Sequence, residues 1–171
     1  MPRVSSFPPV ARADARVLIL GSMPGEASLA AGRYYAHPRN AFWPILGALC
    51  GFAANAPYGR RLAALEANGI ALWDVLQSCE REGSLDGDIV GATAVPNDFA
   101  AFFARHRRVR TVLCNGGTAA RTFARVVRTS GLACDAVVVA LPSTSPAHAG
   151  RSFAEKLAAW RAALDLVHVG A

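Results

Sequence analysis

Residues 21–43 read GSMPGEASLAAGRYYAHPRNAFW, in which Glu26 is the lone carboxylate among glycines, two tyrosines, a histidine, two arginines and an asparagine. Glycines on either side of Met23 and Pro24 allow a tight turn whose backbone N–H groups can face a ligand. A tyrosine ring offers a flat stacking surface, and the amide of Asn40 can donate and accept hydrogen bonds at once. Three further polar stretches accompany them: Asp74 after IALW, CNGG at 114–117, and LPSTSPAHAG at 141–150.

Two familiar chemistries fit less well. GSMPGE matches neither G-x-G-x-x-G nor G-x-x-x-x-G-K-[ST], so no phosphate-cradling loop is indicated, and on its own the turn also serves as a plain strand-to-helix connection. Ser143 or Ser145, with His148 and an aspartate, would supply the members of a hydrolase triad. Neither serine lies in a G-x-S-x-G elbow, and a solvated loop histidine is the simpler reading of His148.

The elements that must position these residues follow from periodicity. Four short apolar runs, at 16–20, 70–75, 110–115 and 135–141, read as buried strands. Between and after them, 40–52, 58–69, 97–108, 117–131 and 152–167 read as helices, the third opened by an Asn97 cap and the last by a Ser152 cap. Alternation of strand and helix predicts a parallel sheet covered on both faces, an α/β domain with three layers. Ligands of such sheets sit beyond the carboxyl ends of the strands. All four polar stretches fall there, on one rim.

Composition bounds the rest. A chain of 171 residues with 53% hydrophobic content suits one domain spanning 1–171, with 1–14 expected to be irregular. No apolar run is long enough to span a membrane and the N-terminus lacks a secretory pattern, so a cytoplasmic protein is expected, nucleoid-associated if bacterial. Cys50, Cys79, Cys114 and Cys134 are widely spaced with no C-x-x-C pair, which predicts reduced thiols and neither a metal site nor a metal cluster. The formal charge of +6 favours a polyanionic partner. The basic cluster at 104–110 precedes the third strand, so it should lie opposite the rim as a solvated helix end.

Taken jointly, GSMPG after the first strand, YAHPRNAFW beyond it, GIALWDVLQSCEREGSLD at 69–86, NG at the end of the third strand and LPSTSPAHA after the fourth resemble the uracil-DNA glycosylase superfamily. The first three are most similar to its hypoxanthine-DNA glycosylase branch, related to the mismatch-specific G:U/T glycosylases. The resemblance covers residues 16–165. It implies a four-stranded parallel sheet between helices, no cofactor, a monomer, and DNA containing deaminated bases as partner. The implied activity is monofunctional hydrolysis of the N-glycosidic bond of a base flipped from the duplex, hypoxanthine foremost. A uracil or G:U mismatch glycosylase, or a damaged-DNA-binding domain without catalysis, stands as the alternative.

The resemblance also implies roles for residues. Tyr35 matches the ring that stacks on the extruded base, with core packing as its other reading, whereas Phe42 and Trp43 read as core. Asn40 matches the catalytic asparagine of the branch, positioning water in place of the residue at Met23; a helix N-cap is its alternative, and Asp74 or Glu26 are alternative bases. The turn of Gly21, Ser22, Met23, Pro24 and Gly25 would hold the carbonyl oxygen of the base. Asn115 would read a base edge or simply form an Asn-Gly turn. Arg39, Ser143, Thr144, Ser145, Pro146 and His148 would contact DNA. Two departures accompany the match: Leu141 replaces a polar residue near the leaving base, and Ser145 replaces an apolar wedge.

Overall fold

The computed structural model describes residues 2–169, without the side chains of the last two. In chain order its elements are β1 (Arg3–Ser5), β2 (Val17–Gly21), α1 (Glu26–Ala31), α2 (Phe42–Cys50), α3 (Tyr58–Ala67), β3 (Ile70–Asp74), β4 (Leu76–Glu80), β5 (Val90–Pro96), α4 (Phe99–Arg105), β6 (Thr111–Asn115), α5 (Gly117–Ser130), β7 (Val137–Leu141) and α6 (Phe153–Val169).

β2 and β3 are wholly buried runs, VLILG and IALWD, and strands of that kind must be covered on both faces. They occupy the middle and one side of a four-stranded parallel sheet of order β3-β2-β6-β7. Alternation along β2 decides which helices each residue meets. Val17 and Ile19 face a cluster with Phe42, Ile45 and Leu46 of α2, Leu65 of α3 and Trp160 of α6. Leu18 and Leu20 face the opposite cluster with Phe99 and Phe102 of α4 and Phe123 of α5. The three-layer α/β architecture is therefore as the alternation of runs predicts.

Several local features differ. β4 and β5, unforeseen, form a second, antiparallel sheet with β1, so the first fourteen residues are not wholly irregular. Val10 also bridges Leu72 at the free edge of β3. α4 opens on Asp98, whose carboxylate accepts the Ala101 N–H at 3.0 Å. Asn97, the expected cap, instead donates to the carbonyl of Asp74 at 2.8 Å, because the chain there must close on β3 before the helix can start. Ser152 does cap α6, accepting the Glu155 N–H at 3.2 Å.

The four cysteines are free, Cys79 and Cys114 buried and the other two half-buried. Among the described residues no group of His, Cys, Asp and Glu could hold a metal ion, and no helix is long and apolar enough to cross a membrane.

Candidate active site

The ends of β2 and β3 are in register, Gly21 beside Asp74, and those of β6 and β7 likewise, Asn115 beside Leu141. The polar stretches therefore meet at the carboxyl edge of the sheet. Beyond β2, the turn 21–25 is tied down from behind. The carbonyls of Gly21 and Ser22 accept the N–H groups of Val75 and Leu76, and Pro24 accepts from the guanidinium of Arg81. Ser22 Oγ donates to Asp86 Oδ1 at 2.5 Å, and Ser84 Oγ accepts the Glu26 N–H at 2.9 Å. The Met23 side chain packs with Leu76 and Cys79, away from solvent. The turn thus presents its backbone, while its side chains anchor it.

Tyr35 follows with φ of +53°, the one described residue other than glycine in the left-handed region. That conformation is strained for a bulky side chain and persists where the surroundings enforce it. Its ring stacks on Phe42 with centroids 3.9 Å apart and an interplanar angle of 19°. Phe42 is itself fully buried and set edge-on against Trp43 and Trp160, so the platform rests on the core. The Tyr35 hydroxyl points inward to the strand ends. Burial, first, and the nearby Asp74 carboxyl raise its pKa, partly offset by the Asn115 amide.

Asn115 clamps the loop 141–148: its Nδ2 donates to Thr144 Oγ1 and its Oδ1 accepts the Thr144 N–H, both at 2.9 Å. Thr144 is 1% exposed, and its carbonyl accepts the N–H of Ala41 at 3.0 Å. This chain of bonds fixes Asn40, the residue before Ala41, at the same rim. Asn40 Oδ1 accepts the Phe42 N–H at 2.9 Å, one residue outside the Ala41 cap position of α2. The cap position falls on Ala41, which has no side-chain cap bond, so Asn40 closes a turn onto the N–H two residues ahead instead of capping the helix. That bond leaves Nδ2 and a second lone pair of Oδ1 for other partners. A groove of about 390 Å³, walled by Tyr34, Tyr35, His37, Asn40, Tyr58 and Arg61, opens beside them.

The remaining residues of the sequence reading lie at the periphery. Ser143 Oγ accepts the Ser145 N–H at 3.1 Å, and Ser145 Oγ the Ala147 N–H at 3.2 Å, so both hydroxyls cap their own loop. Pro146 is half-buried, and Arg39 and His148 are exposed. From behind, Lys156 Nζ donates to the His148 carbonyl at 2.7 Å and Trp160 Nε1 to that of Pro142 at 3.1 Å. The arginines of 104–110 sit at the opposite edge, where Arg107 and Arg110 share a recess with Asp135.

Asp74 carries more of the site than its sequence suggests. It is 3% exposed, and burial, then the charge of Asp86, push its carboxyl up to about 7 against the opposing pull of Arg81. A lone carboxylate closing an apolar run was the available signal. Arg81 and Asp86, which surround it, come from the segment 76–96 whose folding the sequence did not reveal.

A three-layer α/β domain thus gathers a stacked ring, two amides and a backbone turn at the carboxyl edge of its parallel sheet, the edge at which such sheets bind their ligands. Comparison with known proteins narrows this class. The profile of the uracil DNA glycosylase superfamily matches residues 8–164, and the chain belongs to that superfamily. A hypoxanthine DNA glycosylase of Methanosarcina barkeri is 40% identical over 111 residues, 64% of this chain and 69% of that protein. A protein of the same description from Methanosarcina acetivorans is 36% identical over the same shares. A solution structure from Methanosarcina acetivorans, described as a candidate uracil DNA glycosylase, matches with a TM-score of 0.80 at 29% identity, covering 98% of this chain and 99% of that one.

Proposed function

We propose that this chain is a DNA glycosylase that flips a deaminated base, hypoxanthine foremost, out of DNA and hydrolyses its N-glycosidic bond. The observation that carries the reading is the chain of bonds Asn115–Thr144–Ala41, which ties the segment bearing Asn40 to the loop 141–148 and to the end of β6. Identity to two hypoxanthine DNA glycosylases supports the choice of base.

The chemistry follows from these groups. Extrusion costs a few kcal/mol, least for a mispaired base such as hypoxanthine. Stacking on Tyr35 recovers about 1–3 kcal/mol of it. With one lone pair of Oδ1 taken by the Phe42 N–H, Asn40 still has a lone pair to accept a water hydrogen and an Nδ2 to fix its neighbour. An amide is a poor base, so it orients water without deprotonating it first. Bond breaking therefore runs ahead of water attack, and the sugar carries oxocarbenium character. The amides of Ser22, Met23 and Gly25 serve as donors to the carbonyl oxygen of the base. Arg39, with Ser143, Ser145, Pro146 and His148 of the outer loop, meets the DNA strand, whereas Thr144, 1% exposed and bonded to Asn115, holds that loop from beneath and does not reach DNA. A net charge of +6 aids this encounter and makes it weaken with salt. The same reading has the enzyme act in the cytoplasm, on chromosomal DNA, as a monomer.

The test is incubation with otherwise identical duplexes containing deoxyinosine, deoxyuridine, deoxyxanthosine or deoxyadenosine, followed by alkali. Strand scission at deoxyinosine, with none at deoxyadenosine, is the expected result. A shift in gel mobility without scission would identify a binding domain instead. Preferred scission at deoxyuridine would favour the uracil reading, which the structural relative also suggests.

A further inference from the structure

The groove beside Asn40 has a wall that the residues assigned to the base and the water do not use. Arg33, from the turn after α1, and Arg61, from α3, both lie against the ring of Tyr58, their guanidinium carbons 5.5 and 5.4 Å from its centroid. Arg61 also covers the ring of Trp43 at 4.7 Å. Guanidiniums held over aromatic faces are oriented before any ligand arrives, so less freedom is lost when they bind one. The frame beneath them is itself fixed. The Tyr58 hydroxyl accepts the Tyr34 N–H at 3.0 Å, its ring meets Trp43 edge-on at 85°, and Trp43 Nε1 donates to the Tyr34 carbonyl at 3.1 Å.

Neither arginine is neutralised by the chain. Among the described residues the one ion pair joins Arg12 to Asp14, and no carboxylate lines the groove. Arg61 donates from Nε to the Ala56 carbonyl at 2.8 Å, which leaves its two Nη groups for other partners, and Arg33 is exposed. Partial burial, and with it the charge of Arg33, lowers the Arg61 pKa against the opposing pull of Tyr58. Two cations on one ring with no anion between them repel each other, and an incoming anion relieves that repulsion.

The position of the groove selects the anion. Tyr35 and Asn40 line it too, so a group that enters it lies next to the extruded nucleotide. The strand carrying that nucleotide brings a phosphodiester on either side of the reacting sugar. A phosphodiester presents two non-bridging oxygens that share a negative charge, a match for the N–H fork of a guanidinium. An uncharged base makes no such match.

We propose that Arg33 and Arg61, held by Tyr58 and Trp43, form a seat for the backbone phosphate next to the extruded nucleotide, on the same strand. The inference rests on the glycosylase reading and adds a phosphate contact on the far side of Asn40 from the loop 141–148. The seat holds the strand while the neighbouring nucleotide is turned out, and its attraction offsets part of the cost of extrusion. It therefore acts on capture of the strand and not on bond cleavage.

The test is equilibrium binding of the full chain to a deoxyinosine duplex across a salt series, with single-turnover release of hypoxanthine at saturating protein measured alongside. Wild type is compared with Arg33→Gln, with Arg33→Gln plus Arg61→Gln, and with Arg107→Gln plus Arg110→Gln, which removes equal charge at the opposite edge. A second set of duplexes carries an uncharged methylphosphonate at one backbone position at a time around the deoxyinosine. Loss of Arg33 and Arg61 together should weaken binding by about tenfold or more and flatten the salt slope by roughly 0.7–0.9, the share of one phosphate. Release at saturation should hardly change. One methylphosphonate, beside the deoxyinosine on its own strand, should weaken wild type and have no further effect on the double variant. Arg33→Gln alone should move slope and coupling in the same direction, which keeps the test intact should loss of Arg61 from Trp43 lower the melting temperature. A slope that moves no further than in the opposite-edge variant, or methylphosphonate penalties shared by wild type and variants at every position of that strand, would overturn the seat while leaving the glycosylase reading intact. A wild type that shows the coupling but releases no base overturns the glycosylase reading alone; one that does not bind the duplex overturns both.

Discussion

Tyr34 and Tyr35 are neighbours in sequence and opposites in what their surroundings do for them. The Tyr34 hydroxyl donates to the carbonyl of Pro8 at 2.9 Å, its N–H donates to the Tyr58 hydroxyl at 3.0 Å, and its carbonyl accepts Trp43 Nε1 at 3.1 Å. Its ring meets Phe7 edge-on. The N–H, hydroxyl and carbonyl of Tyr34 are thus all closed by the chain itself, and the bond to Pro8 ties the N-terminal segment to the core. On the other side Tyr35 sits in a left-handed backbone, lies flat on Phe42 and leaves its hydroxyl unpartnered beside Asp74. Tyr34, which holds the fold, has its bonds made; Tyr35, proposed above to stack on the extruded base, has an unpartnered hydroxyl.

Substitutions sharpen or break that contrast. Tyr35→Ala should carry the largest functional effect, weakening capture of the extruded base by roughly 5- to 150-fold, the equivalent of 1–3 kcal/mol of stacking. Competition binding with a deoxyinosine duplex would measure it. Tyr34→Ala should instead destabilise by about 3–5 kcal/mol, as large-to-small core changes do, with excision per folded molecule unchanged; chemical denaturation together with active-site titration would show this. The milder Tyr34→Phe should cost about 1 kcal/mol for the lost hydrogen bond, a melting shift of a few degrees in a chain of this size. Were Tyr34→Phe to weaken capture as much as Tyr35→Ala, the contrast would fail.

Asp74 supplies a further check that needs no substrate. Its folded pKa, about 7, lies above the ordinary 3.8, so the unfolded chain releases this proton more readily. The contribution to stability is present in full below the ordinary value and is lost as pH rises through about 7. Asp74→Asn should therefore raise the melting temperature relative to wild type at alkaline pH, and the gain should disappear under acid conditions. Equal shifts at all pH would mean that the carboxyl is not held neutral.

How much of this was legible in the sequence depends on range. VLIL and IALW announced buried parallel strands because a run apolar on both faces has few other homes. Their ends then located the rim without further information. β4 and β5 gave no such signal. LQSCE mixes polar and buried positions, GATAVP is half-exposed along its length, and they are strands through pairing with each other and, for β4, with β1. Since Arg81 and Asp86 arrive with that sheet, the electrostatic setting of Asp74 was hidden too. Asn40 was legible as either cap or water-positioning residue; the cap position falls on Ala41, and the turn bond from the Phe42 N–H leaves the second role open, because an amide oxygen accepts twice.

Asn40→Ala separates those roles most directly. Single-turnover release of hypoxanthine and equilibrium binding of the same deoxyinosine duplex should be measured side by side in wild type and variant, with melting temperatures to follow the lost bond from the Phe42 N–H, about 1 kcal/mol. Release should fall by about 10²–10⁴-fold while binding changes little. A variant that still releases base at the wild-type rate, or one whose binding falls as far as its turnover, would contradict the assignment of the reacting water to Asn40.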